Sequence, residues 1–83
     1  MKLKNIGSNM SEVEVNGNFI LFSYETPVAG RSISEENDGF FKTATKYSAT
    51  TTRHINKYFK NEWDIDSKDV VEVSQDFING LVR

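Results

Sequence analysis

The chain holds one histidine, His54, inside a stretch from Gly39 to Asn61 that also carries Lys42, Lys46, Arg53, Lys57 and Lys60 and no acidic residue. Those types point first to anion or nucleic-acid binding. A helix starting at Ser48 would offer backbone N–H groups without intrahelical partners and a partial positive charge, a seat for phosphate. Ser48, Thr50 and Thr51 add hydroxyls there, and Lys46, Arg53, His54, Lys57 and Lys60 extend the candidate surface. Tyr47 or Phe41 could stack on a base. The plainer reading has the threonines capping and covering the helix and the cations solvated. A sequence pI of about 5.3 favours it, because nucleic-acid domains commonly exceed a pI of ~9.

His54 as a general base needs an orienting partner and a reactive group nearby, and the sequence fixes neither. A partly buried helix histidine is the simpler expectation. With no cysteine and no second histidine, zinc would need carboxylates around one imidazole, an uncommon site. Asp64-x-Asp66-x-Lys68-Asp69 begins like a calcium loop. It then places lysine, aspartate and Gln75 where an oxygen ligand, a glycine and a bidentate glutamate belong. It reads as a polar turn, and Glu35, Glu36 and Asp38 read as a solvated loop. No Walker-type loop, dinucleotide fingerprint or nucleophile elbow is present, and nothing calls for a cofactor.

Charge is segregated rather than large. The net charge is −2, but acids crowd both sides of the basic block: Glu12, Glu14 and Glu25 before it, Glu62, Asp64, Asp66, Asp69, Glu72 and Asp76 after it. In a homo-oligomer the basic helix of one copy could meet the acidic segments of another. Exposed ion pairs contribute only about 0–1 kcal/mol each, so apolar burial of Phe19, Leu21, Trp63 and Phe77 would have to supply the affinity.

The elements that must position these residues follow from patterning. Lys2 to Ile6 is a weak strand, and Ser11 to Val15 alternates strictly. Asn16-Gly17 is the pair that type I′ hairpins prefer. Phe19 to Glu25 returns, which sets Val15 against Asn18, Val13 against Ile20 and Ser11 against Phe22. Val13, Val15, Ile20, Phe22 and Tyr24 then share one face. Glu12, Glu14, Phe19 and Leu21 share the other, whose apolar half needs a cover. Pro27 marks a bend or an edge, Gly30 a bulge or a close backbone approach, and Phe40 to Ala44 a fifth strand. A helix from Ser48 buries Ile55, Tyr58 and Phe59, with Asn61 as a left-handed cap. Val70 to Ser74 is a final strand, and Ser74 caps a closing turn ended by Gly80.

Ser23-Tyr24-Glu25-Thr26-Pro27-Val28-Ala29, Gly39-Phe40-Phe41-Lys42-Thr43 and Ser48 to Tyr58 resemble a group of small uncharacterised bacteriophage proteins. In that group an S-Y-x-T-P-V-A segment precedes an aromatic-Lys-Thr strand and an S-x-T-T-x-x-H-I-N helix. The resemblance covers roughly Val13 to Phe59. It implies a viral origin and a host-cytoplasm setting, and it lends no activity.

Eighty-three residues make one small domain, 1–83, of a size at which association with a second copy is a common source of stability. The N-terminus lacks the apolar region of a signal peptide, and no apolar run nears the ~18–20 residues that span a bilayer. The expected fold is α+β: a curved antiparallel sheet of about five strands, six with Val70 to Ser74, packed on one main helix over 48–61. A partly closed SH3-like or Sm-like barrel is the alternative. The expected function is a non-enzymatic, cytoplasmic interaction module that self-associates or binds a host or phage protein. The alternative is a nucleic-acid-binding protein using the helix from Ser48 to Lys60.

Overall fold

The structure, a computed structural model, describes residues 2–7, 9–32 and 39–82. The polar loop expected through Glu35, Glu36 and Asp38 lies outside the described residues. Its central hairpin is β2 (Met10–Val15) and β3 (Asn18–Ser23). Asn16 and Gly17 both take positive φ, 51° and 81°, as a type I′ turn demands. The turn fixes the expected register, with Val15 opposite Asn18, Val13 opposite Ile20 and Ser11 opposite Phe22.

Around that hairpin the sheet grows outward. β1 (Lys2–Gly7) pairs with β2, β4 (Thr26–Ser32) with β3, and β5 (Gly39–Thr43) with β4, all antiparallel. The expected last strand exists as β6 (Val71–Val73), but it runs parallel to β5. A helical crossover between β5 and β6 returns the chain in its original direction, which an antiparallel neighbour cannot have. The order is β1-β2-β3-β4-β5-β6, so the sheet is mixed and open rather than a barrel.

Pro27 and Gly30 each serve a purpose along β4. The register against β3 shifts between Leu21 and Phe22, which face Ala29 and Pro27. Val28 is the extra residue of a bulge, and the missing proline N–H falls where the ladder is already interrupted. At Gly30 a Cβ atom would lie 2.1 Å from the Phe19 carbonyl oxygen. No side chain fits there.

α1 (Ala49–Tyr58) is capped by the Ser48 side chain, which accepts from the Thr51 N–H. The rod does not stop near Asn61 as expected. It widens into a π-helical turn over Phe59–Trp63 and ends at Asp64, with φ 53°. Ile55, Phe59 and Trp63 are spaced by four, a period that drifts around a regular helix. The wider turn keeps Trp63 on the sheet side, where it packs against Phe19, Phe40 and Tyr58, and this packing favours it over an earlier cap. α2 (Gln75–Leu81) is capped by Ser74 and runs through Gly80. No described helix is long and apolar enough to cross a membrane.

The helices lie on opposite faces of the sheet and build two cores. α1 covers Met10, Leu21, Val28 and Ala29 with Ile55, Tyr58 and Phe59. α2 sets Ile78 on Ile20 and Phe41, with Val15, Phe22 and Leu81 around them. Full burial of such a side chain contributes about 1.5–3 kcal/mol, so the larger first core dominates stability.

Candidate functional site

Two of the sequence motifs converge on one end of the α1 face. β3 ends at Ser23, earlier than expected, so Tyr24 leaves the sheet and does not join the Val13–Phe22 face. Tyr24 occupies the first position of a two-residue turn with φ 59°, a backbone region that favours glycine. Its N–H donates to the Asn9 carbonyl at 2.7 Å, tying this turn to the one between β1 and β2. The ring stays 52% exposed and packs 5.7 Å from the His54 ring. Behind it Ser23 Oγ lies 2.7 Å from His54 Nδ1 and 3.2 Å from Thr51 Oγ1.

A serine at hydrogen-bond distance from a histidine has the look of a nucleophile and its base. Ser23 is only 2% exposed, so no substrate reaches its oxygen. The pair works instead as a polar pin between β3 and α1. Burial, then the nearby charges of Arg53 and Lys57, hold the His54 pKa below its ordinary value. The imidazole is therefore neutral at pH 7.

The remaining candidate cations scatter. Arg53 and Lys57 sit exposed on the outer crest of α1, where Arg53 donates to Thr50 Oγ1. Lys60 lies farther along the helix and pairs with Asp64 at 3.5 Å. Lys46 lines a separate cleft of about 270 Å³ at the junction of β5 and α1, with Lys42, Ser48, Thr52, Asn56 and Glu72. That is where a phosphate would sit in a parallel β-α unit. The groups there are already engaged: Ser48 caps the helix, Lys42 donates to the Ser67 carbonyl, and Glu72 adds negative charge. Thr51 is buried and is withdrawn from any anion surface. Asp66 caps a short 3-10 turn over Ser67–Asp69.

Three of the four residues expected at a partner interface are used inside the chain. Leu21 is wholly buried under α1, which removes it from any interface. Phe19 packs on Trp63 at 5.9 Å, and Trp63 also meets Phe40 at 5.4 Å. The Arg31 guanidinium stands over both the Phe40 and Trp63 rings, at 5.3 and 5.1 Å. Only Phe77 stays largely outside, 42% exposed, and the sequence reading missed a second exposed apolar residue, Val71 at 61%. Phe77 meets the Phe41 ring edge-on at 5.8 Å, and Val71 stands beside Phe41 in the β5–β6 register.

A model for a family of unknown function, DUF8033, matches residues 1–80. The chain belongs to the DUF8033 family. No curated protein and no solved structure matches it.

Two polar residues of this DUF8033 chain escaped sequence reasoning. Gln75 accepts from Thr43 and Tyr47 and donates to the Pro27 carbonyl and to Asn79. It fixes α2 and the β5–α1 loop to β4 with its full hydrogen-bonding capacity. Glu12, 9% exposed, accepts from the Tyr58 hydroxyl at 2.7 Å. Burial and this bond push the Tyr58 pKa far up, so the phenol keeps its proton and remains a donor. A glutamate in a strictly alternating strand was the available signal for Glu12. Nothing local marked Gln75.

Proposed function

We propose that this DUF8033 protein is a non-catalytic interaction module that associates with a second copy through the face carrying α2. One observation carries the reading: Val71 and Phe77 stand exposed, and each adjoins Phe41. The geometry explains why they are left over. Seven helical residues span only ~10 Å, whereas six strands spread over ~24 Å. A helix the length of α2 cannot close the face that α1 and its π-turn close on the other side. β6, three residues long, adds a short edge beside the patch.

The contact is small. Stable interfaces bury about 1,200–2,000 Å² in total, and two exposed side chains with their surroundings fall short of that, so the association is weak and concentration-dependent. Asp69 and Asp76, two residues before Val71 and one before Phe77, are exposed. A two-fold contact brings these acids toward their own copies, so added salt strengthens it. Arg53 and Lys57 belong to the opposite side of the sheet and take no part. The resemblance to bacteriophage proteins supports an accessory role in a host cytoplasm.

Light scattering after gel filtration, over a range of protein and salt concentrations, tests the reading. A mass that rises with both supports it. A Phe77→Asp variant that folds like the parent should stay monomeric. A parent that remains monomeric at every concentration, or an unchanged dimer of that variant, removes it. A monomer that binds a host or phage protein through Phe77 would leave the surface standing and replace the occupant.

A further inference from the structure

We propose that the two end strands of the sheet are complementary, so that β6 of one copy adds beside β1 of the next and continues the sheet from chain to chain. The contact uses the edges of the sheet rather than the face carrying α2, and both contacts can be made at once.

The strand registers line up into rows that cross the whole sheet. One row runs Leu3, Val13, Ile20, Gly30, Phe41 and Val71, on the α2 side. It is buried in the middle and open at both ends, where Leu3 is 73% and Val71 61% exposed. The adjacent row runs Lys4, Glu12, Leu21, Ala29, Lys42 and Glu72, on the α1 side. It begins with a cation and ends with an anion. Setting Val71 beside Leu3 of a second copy therefore also sets Glu72 beside its Lys4.

Backbone direction and bonding fit the same register. β1, β5 and β6 all run one way, so β6 meets β1 of the next copy as a parallel pair. The type I′ turn makes Val15 and Asn18 a hydrogen-bonded pair. Alternation then turns Glu12 and Glu14 toward β1 and leaves the N–H and C=O groups of Leu3 and Asn5 pointing out of the sheet. At the far end the Ala44 N–H donates to the Val73 carbonyl at 2.8 Å. Val71 and Val73 thus bond toward β5, and Glu72 directs its amide and carbonyl outward. A residue in a parallel pair bonds to the two that flank its opposite. The Glu72 N–H accordingly donates to the Leu3 carbonyl of the next copy, and the Glu72 carbonyl accepts from the Asn5 N–H.

Charge selects this partner over the other edge pairings. Lys4 faces Glu12 in register and lies 3.7 Å from Glu62, while Glu72 faces Lys42. Across the junction the signs alternate: Glu12, Lys4, Glu72, Lys42. A two-fold pairing of β1 with itself sets Lys4 against Lys4 or Lys2. The register centred on Asn5 avoids this but runs into the irregularity between Asn5 and Gly7. A two-fold pairing of β6 with itself sets Glu72 against Glu72. Like charges directly opposite destabilise a strand pair. The favoured contact is head-to-tail and does not close on itself. It is short, and salt weakens it, so trapping reveals it where added mass does not.

The test is disulfide trapping at low salt, for which a chain without cysteine is suited. A tagged Leu3→Cys chain is mixed with an untagged Val71→Cys chain in a thiol–disulfide buffer, and the products are resolved by intact mass. Facing positions on neighbouring strands lie ~4.8 Å apart, within disulfide reach. The two ends of one sheet lie ~24 Å apart, so no disulfide closes within a single chain carrying both. The mixed disulfide should exceed the Leu3→Cys homodimer severalfold. Adding Lys4→Glu to the first chain should lower its yield by roughly twofold to fivefold, and adding Glu72→Lys to the second as well should restore it. Phe77→Asp in both chains should leave the mixed yield unchanged, which separates the edges from the α2 face. A mixed yield no greater than that of the Leu3→Cys homodimer, one indifferent to charge reversal, or one lost with Phe77→Asp would overturn the edge contact.

Discussion

The two faces of the sheet are closed by different means. On the α1 face a ten-residue helix and its π-turn lay Thr51, Ile55, Tyr58, Phe59 and Trp63 over the strands. They add a buried phenol–carboxylate bond and a ring ladder through Phe19, Phe40 and Trp63. On the α2 face seven residues cover the middle alone, held by the four hydrogen bonds of Gln75. The first face is sealed, and its exposed chemistry is pushed to the crest and to the Tyr24 turn. The second is half sealed, and its leftover apolar side chains remain on the surface. Where a face is closed, exposed groups are left only at its edges; where it is open, apolar side chains stay on the face itself.

Phe59 and Phe77 provide the sharpest contrast, one on each helix system. Phe59 is fully buried, so Phe59→Ala should cost about 3–5 kcal/mol in chemical denaturation. For a domain this small that is a large part of the total stability. An effect below about 1 kcal/mol would mean that the α1 face is loosely packed and the contrast false.

Next in size is Tyr58→Phe, which removes one oxygen from the sealed face. It strands a buried Glu12 carboxylate, with an expected cost of about 1–3 kcal/mol. Glu12→Gln with Tyr58 intact keeps an acceptor and should cost less. A reversed order would show that the carboxylate is solvated rather than held by the phenol.

How much of this was legible follows the range of each interaction. The β2–β3 register was readable because Asn16-Gly17 sets it locally and because alternation leaves no second solution. The stripe of Ile55, Tyr58 and Phe59 was readable for the same reason. The parallel β6 was not: three residues carry no periodic signal, and their direction is set by the crossover. The helix end was misplaced because Asn61 is a competent cap that the burial of Trp63 outweighs. Phe19, Leu21 and Trp63 looked like partner contacts since a sequence shows an apolar half-face but not its cover. Ser23 and His54, thirty-one positions apart, meet only after β3 and α1 are stacked.

On the half-sealed face Phe77→Ala should cost about 0.5–1.5 kcal/mol, the worth of its edge-on contact with Phe41, against several for Phe59. Thermal denaturation of both variants under one condition measures the ratio. A loss at Phe77 as large as that at Phe59 would show that α2 closes its face after all, and the proposed interface would lose its exposed anchor.

The smallest effect lies at the edge of the sealed face. His54 has its pKa lowered in the folded chain from an ordinary 6.5, by burial and then by Arg53 and Lys57. Above 6.5 both folded and unfolded chains hold a neutral imidazole. As the pH falls below that value the unfolded chain takes up a proton that the folded chain refuses, so stability declines. The decline ends once the folded pKa is also passed. Denaturation at about pH 7.5 and about pH 5.5, above the range where carboxylates titrate, should show the parent losing stability and His54→Gln losing less. Stability that rises on acidification would mean the imidazolium gains a partner in the folded chain. The ring would then be a charged group facing solvent rather than part of the seal.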